Sequence, residues 1–302
     1  MLNRTSLTVL TLLIGGCATK TAPVETPATE KVEAPAPTPE PAAPSSSATM
    51  AADAKWMPIN PEKPQGPQMA VITGNPKEGA FSALVKFPAG AATPLHSHPA
   101  NFTGMMVSGT LKNGRSAEDN TAMGPGTLWT EPADEVHFTG CAPEADCIFV
   151  GHMDGSMGMT PTETATEGDL KVKVTAAADI AFSPINPEMP DGPGMFVLSG
   201  DKAAGAFTAL VKFPGGATSP QHSHSSTYSA AVVSGAVSHG GAESMGAGSH
   251  WTEIGGKTHT TGCTSEEPCV FFAAMDGAFD MTPVPPPATE GATEEAPAAP
   301  AE

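Results

Sequence analysis

The chain has 302 residues, long enough for two domains of ordinary size, and carries 32 acidic against 14 basic residues, a formal net charge of -18. The excess persists between Trp56 and Pro283, with 23 acidic against 10 basic residues, so no basic stripe exists to hold nucleic acid. Aromatics are only 5 % while Gly and Pro number 32 each, a mixture that suits short strands joined by many turns better than long helices.

At the N-terminus Arg4 precedes a short apolar run from Leu7 to Ile14, followed by Gly15, Gly16 and Cys17. The run is too short to span a bilayer and has the proportions of an export signal. Leu13-Ile14-Gly15-Gly16-Cys17 resembles the lipobox of bacterial lipoproteins. That resemblance implies a signal peptide over residues 1–17 and acylation of Cys17 as the first mature residue; the alternative is an ordinary signal with an incidental cysteine. Ala18, where an Asp would favour inner-membrane retention, points to the outer membrane, facing the periplasm of a bacterial cell envelope. Residues 18–55 are rich in Ala, Pro, Thr, Glu and Ser and cannot bury a core, so they read as a disordered tether to the membrane. Residues 284–302 read as a similar disordered, acidic tail.

Between these ends the chain repeats itself. Pro58-Ile59-Asn60-Pro61 recurs as Pro184-Ile185-Asn186-Pro187, and GAFSALVKFPAGA from Gly79 recurs as GAFTALVKFPGGA from Gly205. His96-Ser97-His98 recurs as His222-Ser223-His224. After a short deletion in the second copy, Trp129-Thr130-Glu131 matches Trp251-Thr252-Glu253, His137 matches His259, and Thr139-Gly140-Cys141 matches Thr261-Gly262-Cys263. Each unit is large enough to be a domain, which predicts one domain over 56–161, a linker over 162–178 and a second domain over 179–283. Within a unit, FSALVKF, TGMMVSG and CIFVGHM are short runs bounded by Gly, Pro or Asp, with no sustained helical period. The expected fold class is all-β, a sandwich or jelly-roll barrel in each half.

Gly90, His96, His98 and Gly109, and again Gly216, His222, His224 and Gly235, match the first motif of the cupin family. Gly126, Pro132 and His137 match its second motif with Asp134 in a Gly place, and Gly248, Gly256 and His259 match it with Ile254 in the Pro place. The chain resembles a bicupin, two tandem jelly-roll β-barrels, and is similar to a cupin family with a cysteine pair after the second motif. Two places depart from the family. Phe102 and Tyr228 stand where the first motif has its Glu, and Cys141 and Cys263 stand where the second has its Asn.

The resemblance implies that His137 lies opposite the pair His96/His98, and His259 opposite His222/His224, so that each barrel offers three imidazoles to a divalent ion. Such a set suits Zn, Fe, Mn, Ni or Cu and leaves coordination positions open. The alternative is an inherited polar cavity without an ion. Glu131 and Glu253 precede the third histidine by an even spacing, but the PADEV and IGGKT segments after them are expected to break the strand. Both therefore read as turn-end residues facing solvent, with a substitute ligand as the alternative. Gly151 to Met159 mixes His152 with methionines, yet the second copy has Ala274 and Phe279 in place of His152 and Met157, which favours packing over copper binding. His152 and His239 are expected to play no part in metal binding.

Besides Cys17 there are two equivalent pairs, Cys141/Cys147 and Cys263/Cys269, each read as a local disulfide of an exported protein. The functional expectation is a lipid-anchored envelope protein holding a divalent metal and a small-molecule ligand in each barrel. An oxygenase-like enzyme and a non-catalytic binding module both fit, and no catalytic acid or base is identifiable. Self-association into an oligomer is left open.

Overall fold

The computed structural model describes residues 46–165 and 168–285. The lipobox with Cys17, most of the tether and the acidic tail lie outside the described residues. Among the described residues the only helical pieces are two short 3-10 turns, Ala51–Asp53 and Ala177–Asp179; everything else is strand, turn or bend.

Each repeat folds as a two-layered barrel. In the first, one large sheet has the order Lys173–Thr175, Leu128–Glu131, Phe102–Ser108, Cys147–Met153, Phe81–Phe87, Gln68–Gly74, Met57–Pro58. Facing it are a small sheet of Asn120–Met123, Leu111–Gly114 and Phe138–Cys141, and the ribbon of His96–Ser97 with Thr160–Pro161. The second repeat copies this arrangement strand for strand. The four-residue deletion falls in the hairpin between Ala236–His239 and Ala242–Gly246, where Gly240 and Gly241 (φ 55° and 92°) turn the chain in two residues. Only glycine takes both positive φ angles cheaply, and a tight two-residue turn needs them.

The strand Phe81–Phe87 shows why the large sheet is apolar on both faces. Phe81, Ala83, Val85 and Phe87 point into the barrel with Met69, Phe149 and Met153. Leu84 points the other way and joins Met105, Leu128 and Val150 of its own sheet to Leu210, Ala231, Val233 and Phe272 of the second barrel. The two barrels therefore pack back to back through one continuous core. Each large aliphatic side chain buried there contributes about 1.5–3 kcal/mol, so neither barrel is expected to be stable with that face in water.

A reciprocal exchange of strands ties the halves further. Ser47–Thr49, at the start of the first repeat, pairs antiparallel with His250–Glu253 of the second barrel. Lys173–Thr175, at the start of the second repeat, pairs in the same way with Leu128–Glu131 of the first. These segments lie inside the stretches read from sequence as disordered tether (18–55) and linker (162–178), and both boundaries are corrected accordingly. SAT and KVT carry no apolar period to announce a strand. Their order comes from main-chain pairing with an edge that exists only once the opposite barrel has folded.

Both cysteine pairs are bonded, Cys141–Cys147 and Cys263–Cys269, with Cα separations of 5.8 and 5.5 Å. Each clips the end of the small sheet to the start of a central strand of the large one. A loop this short stabilises by only about 2 kcal/mol on the chain-entropy model.

Candidate metal centres

In each barrel three histidines converge from two pieces of chain. His96 opens the strand His96–Ser97, His98 follows one pleat later, and His137 arrives through an antiparallel bridge to His96 whose two main-chain bonds are 3.0 and 2.9 Å. Ring centroids lie 4.4 Å (His96–His137), 4.8 Å (His96–His98) and 5.3 Å (His98–His137) apart. The second barrel repeats the figure: 4.4 Å for His222–His259, 4.9 Å for His222–His224 and 5.3 Å for His224–His259. Within each trio the potential ligand atoms lie within 4.8 Å of one another.

The donor set fits a divalent ion, and the hydrogen bonds show why. Every Nδ1 of the six rings meets a backbone carbonyl. The first barrel uses Pro94 at 2.9 Å, Gly158 at 2.7 Å and Glu135 at 3.0 Å. The second uses Pro220 at 2.8 Å, Asp280, and Lys257 at 3.2 Å. A carbonyl only accepts, so Nδ1 must carry the proton and the Nε2 lone pairs are left bare. This is how metal-ligating imidazoles are held in one tautomer and orientation.

Burial sets the charge state. Removal from water lowers the pKa of His96 to about 3, aided by the neighbouring His137, and lowers that of His259 to about 4, aided by His222. His98 and His224 are lowered for the same first reason. These four rings are thus held neutral and ready to donate lone pairs. Because these folded values lie below the unfolded one near 6.5, the unfolded chain binds more protons as the medium acidifies. Stability is then fully present above pH 6.5 and lost as pH falls towards about 4 for His259 and about 3 for His96. For well-buried His96 and His239, the latter also lowered to about 3, the slope reaches about 1.4 kcal/mol per pH unit each. Melting of the metal-free protein is expected to be flat above pH 7 and to drop progressively at 6, 5 and 4.5; a flat profile throughout would contradict it.

Glu131 and Glu253 overturn the reading that turned them to solvent. They are 4 % and 6 % exposed and end the strands Leu128–Glu131 and His250–Glu253 on the inward face. The strand does break at Pro132 and at Ile254, but only after the glutamate has been placed. Glu131 lies directly across the ladder from Phe102, and Glu253 from Tyr228. The carboxylate missing from the first motif has in effect moved one strand over.

The two glutamates are used differently. Glu131 Oε1 accepts hydrogen bonds from Asn113 Nδ2 at 2.5 Å and Trp129 Nε1 at 2.9 Å, which leaves Oε2 3.3 Å from His137 Nε2. In the second barrel His239 stands where Asn113 does, stacks on Trp251 at 4.9 Å, and draws Glu253 Oε2 to 3.1 Å from its own Nε2. Glu253 Oε1 accepts instead from Ser46, the residue just before the exchanged strand. A Cβ on Gly104 would come within 2.2 Å of the Trp129 ring, so that tryptophan pose needs the glycine. The second copy has Ala230 there, and Trp251 Nε1 does not reach Glu253. Tyr228 adds a hydroxyl 3.3 Å from His259 Nε2, where Phe102 has none.

The whole first trio borders a cavity of about 200 Å³, while His222 and His224 of the second border one of about 190 Å³; both cavities are walled mainly by Phe, Met and Val. Lys63 lines the first cavity where Met189 lines the second. His152 takes no part in either. Its Nδ1 lies 3.0 Å from Ser82 Oγ and its ring faces Phe272 of the other barrel. Met153 packs into the first barrel's core. Sequence reasoning gave His239 no role, although its alignment with Asn113 marked it, like His250 opposite Leu128, as a histidine the first copy lacks.

Fold and donors together define a tandem jelly-roll protein with a three-imidazole pocket in each barrel. Residues 48–180 match the family model of a domain of unknown function (DUF4437), and residues 171–278 match that of a ChrR cupin-like domain. The two models together span residues 48–278, and both halves share one jelly-roll fold, that of a cupin-like domain in tandem. Among solved structures it is similar to a protein of Nostoc punctiforme provisionally named a dioxygenase, at 12 % identity and a TM-score of 0.58, covering 80 % of this chain and 87 % of that one. It also matches oxalate decarboxylase of Lactobacillus farciminis in a formate complex at 13 % identity (TM-score 0.49, 78 % and 88 % covered). A variant of the Bacillus subtilis oxalate decarboxylase matches at 16 % identity (TM-score 0.47, 78 % and 79 % covered). These likenesses speak to the fold alone. No curated protein matches the chain.

Proposed function

We propose that this bicupin holds a divalent transition ion at His96, His98 and His137 and another at His222, His224 and His259, and uses them to bind and transform a small molecule. The observation that carries the reading is the set of six Nδ1 to carbonyl bonds, which turns six Nε2 atoms inward in two groups of three. A bound ion supplies Lewis acidity at its open positions and, as iron, a redox centre suited to oxygenase-like chemistry. The protein's own part is to orient the ligand, exclude water through the apolar wall and, in the first barrel, set the Glu131 carboxylate beside the ion's position. The cavities fit a compact, mainly apolar molecule with an oxygen donor at one end; Lys63 favours an anionic group in the first. A resting small-ligand binding module is the second reading, favoured by the lack of any identifiable acid or base beyond Glu131.

The test is metal analysis of tag-free protein, expected to give at least one first-row ion per barrel, followed by oxygen uptake with iron-loaded protein over a panel of small oxygenated substrates. Ligand binding without turnover would favour the binding module, and protein that takes up no metal would remove both readings.

Anchoring is the second part of the proposal. It rests on Leu13-Ile14-Gly15-Gly16-Cys17 and on two disulfides, which belong to oxidising compartments such as the periplasm. The protein is expected to sediment with bacterial membranes and Cys17→Ser to release it or block its maturation. Wild-type protein found wholly soluble and cut elsewhere would defeat this part.

A further inference from the structure

We propose that the second barrel contains a metal seat that the first lacks, formed by His239 Nε2, Glu253 Oε2 and His259, beside the histidine trio. It goes beyond the trio reading, because two of its three donors belong to neither trio. The ligand atoms of the three residues lie within 4.8 Å of one another and all three residues are buried. His239 is held in place by Thr261, whose Oγ1 is 2.8 Å from Nδ1, and by stacking on Trp251. Its Nε2 is thereby aimed at Glu253 Oε2, 3.1 Å away.

The charge argument points the same way. Glu253 is a buried carboxylate whose partners are Ser46 Oγ, the Ile254 amide and imidazoles; among the described residues no Lys or Arg pairs with it. A carboxylate so deep needs a compensating cation. On the reading proposed above, Glu131 finds one at the first trio, since its second oxygen faces His137 Nε2. Glu253 is drawn instead to His239, and the His259 nitrogen nearest its oxygen, Nδ1 at 3.9 Å, already donates to the Lys257 carbonyl, so His259 would join the seat through Nε2. The cation it needs therefore sits between His239, Glu253 and His259. Two imidazoles and one carboxylate suit Zn, Fe, Mn or Co. Asn113, with an amide in place of the ring nitrogen, cannot build the equivalent seat in the first barrel. Because His259 belongs to both groups, the second barrel's trio and this seat compete for one ion.

The experiment counts tightly bound Co(II) per chain by absorption and mass spectrometry, with circular dichroism as the folding check. In H222A/H224A the second trio is gone and the seat is intact, so two ions are expected, one in the first trio and one in the seat. Adding H239N, which only writes in the residue that the first barrel carries, should reduce the count to one. Should H222A/H224A not fold, H222Q/H224Q preserves more of the polar volume and serves the same purpose. A count of one that H239N leaves unchanged, or a count of zero, overturns the proposal. A count of one that falls to zero with H239N supports the seat and shows separately that the first trio holds nothing.

Discussion

Replacing His137 with alanine is expected to empty the first barrel while the second stays loaded, and His259→Ala is expected to do the reverse. Each substitution removes one of three convergent imidazoles, and two hold a divalent ion far more weakly than three. The loss should exceed the roughly 10- to 100-fold that removal of a mere outer partner costs. Glu131→Gln offers the graded control. The amide keeps the volume and the contact with Asn113 but removes the negative charge 3.3 Å from His137 Nε2. Its effect should fall within that 10- to 100-fold range if the carboxylate serves as a partner, and above it if it is a fourth ligand. Metal content and Co(II) titrations of the three variants decide the matter. Equal metal content in wild type and His137→Ala would show that the histidines are scaffold.

Truncation at two nearby points should give sharply different results. Removing residues 18–45 is expected to leave the melting temperature unchanged, whereas removing 18–55 should lower it clearly. The longer deletion strips Ser47–Thr49 from the edge strand His250–Glu253, along with the Ser46 bond to Glu253 and the Ala51 amide bond to Ser249. At about 1 kcal/mol net per hydrogen bond, several such bonds amount to roughly 3–5 kcal/mol. For a folded unit of this size that is on the order of 10 °C. It also leaves an open sheet edge, so the truncated protein should associate at high concentration. Equal melting of the two truncations would show the exchanged strand to be dispensable.

The duplication, the all-β class and the positions of both histidine trios were legible in the sequence because each rests on a local pattern. A repeat is visible as identity, strands as short runs between Gly and Pro, and His-x-His as two side chains on one face of one strand. The disulfides were legible for the same reason, since each closes within a single turn. Glu131 was half legible. Its even spacing to His137 was correct as a face argument, and the break at PADEV was real, but the spacing could not say on which side of the break the glutamate stood.

The rest was decided by contacts between distant parts of the chain. Ser47–Thr49 is an unremarkable SAT tripeptide until a barrel edge some two hundred residues away offers its open carbonyls and amides. Whether Glu131 or Glu253 faces its third histidine depends on a glycine or alanine at 104 and 230 and on an asparagine or histidine at 113 and 239, residues from other strands that meet the carboxylate only across the barrel. The sequence by itself determined which donors each half owns. Tertiary structure decided how they are shared, because a buried charge takes its orientation from every polar group packed around it, and those groups come from all over the chain.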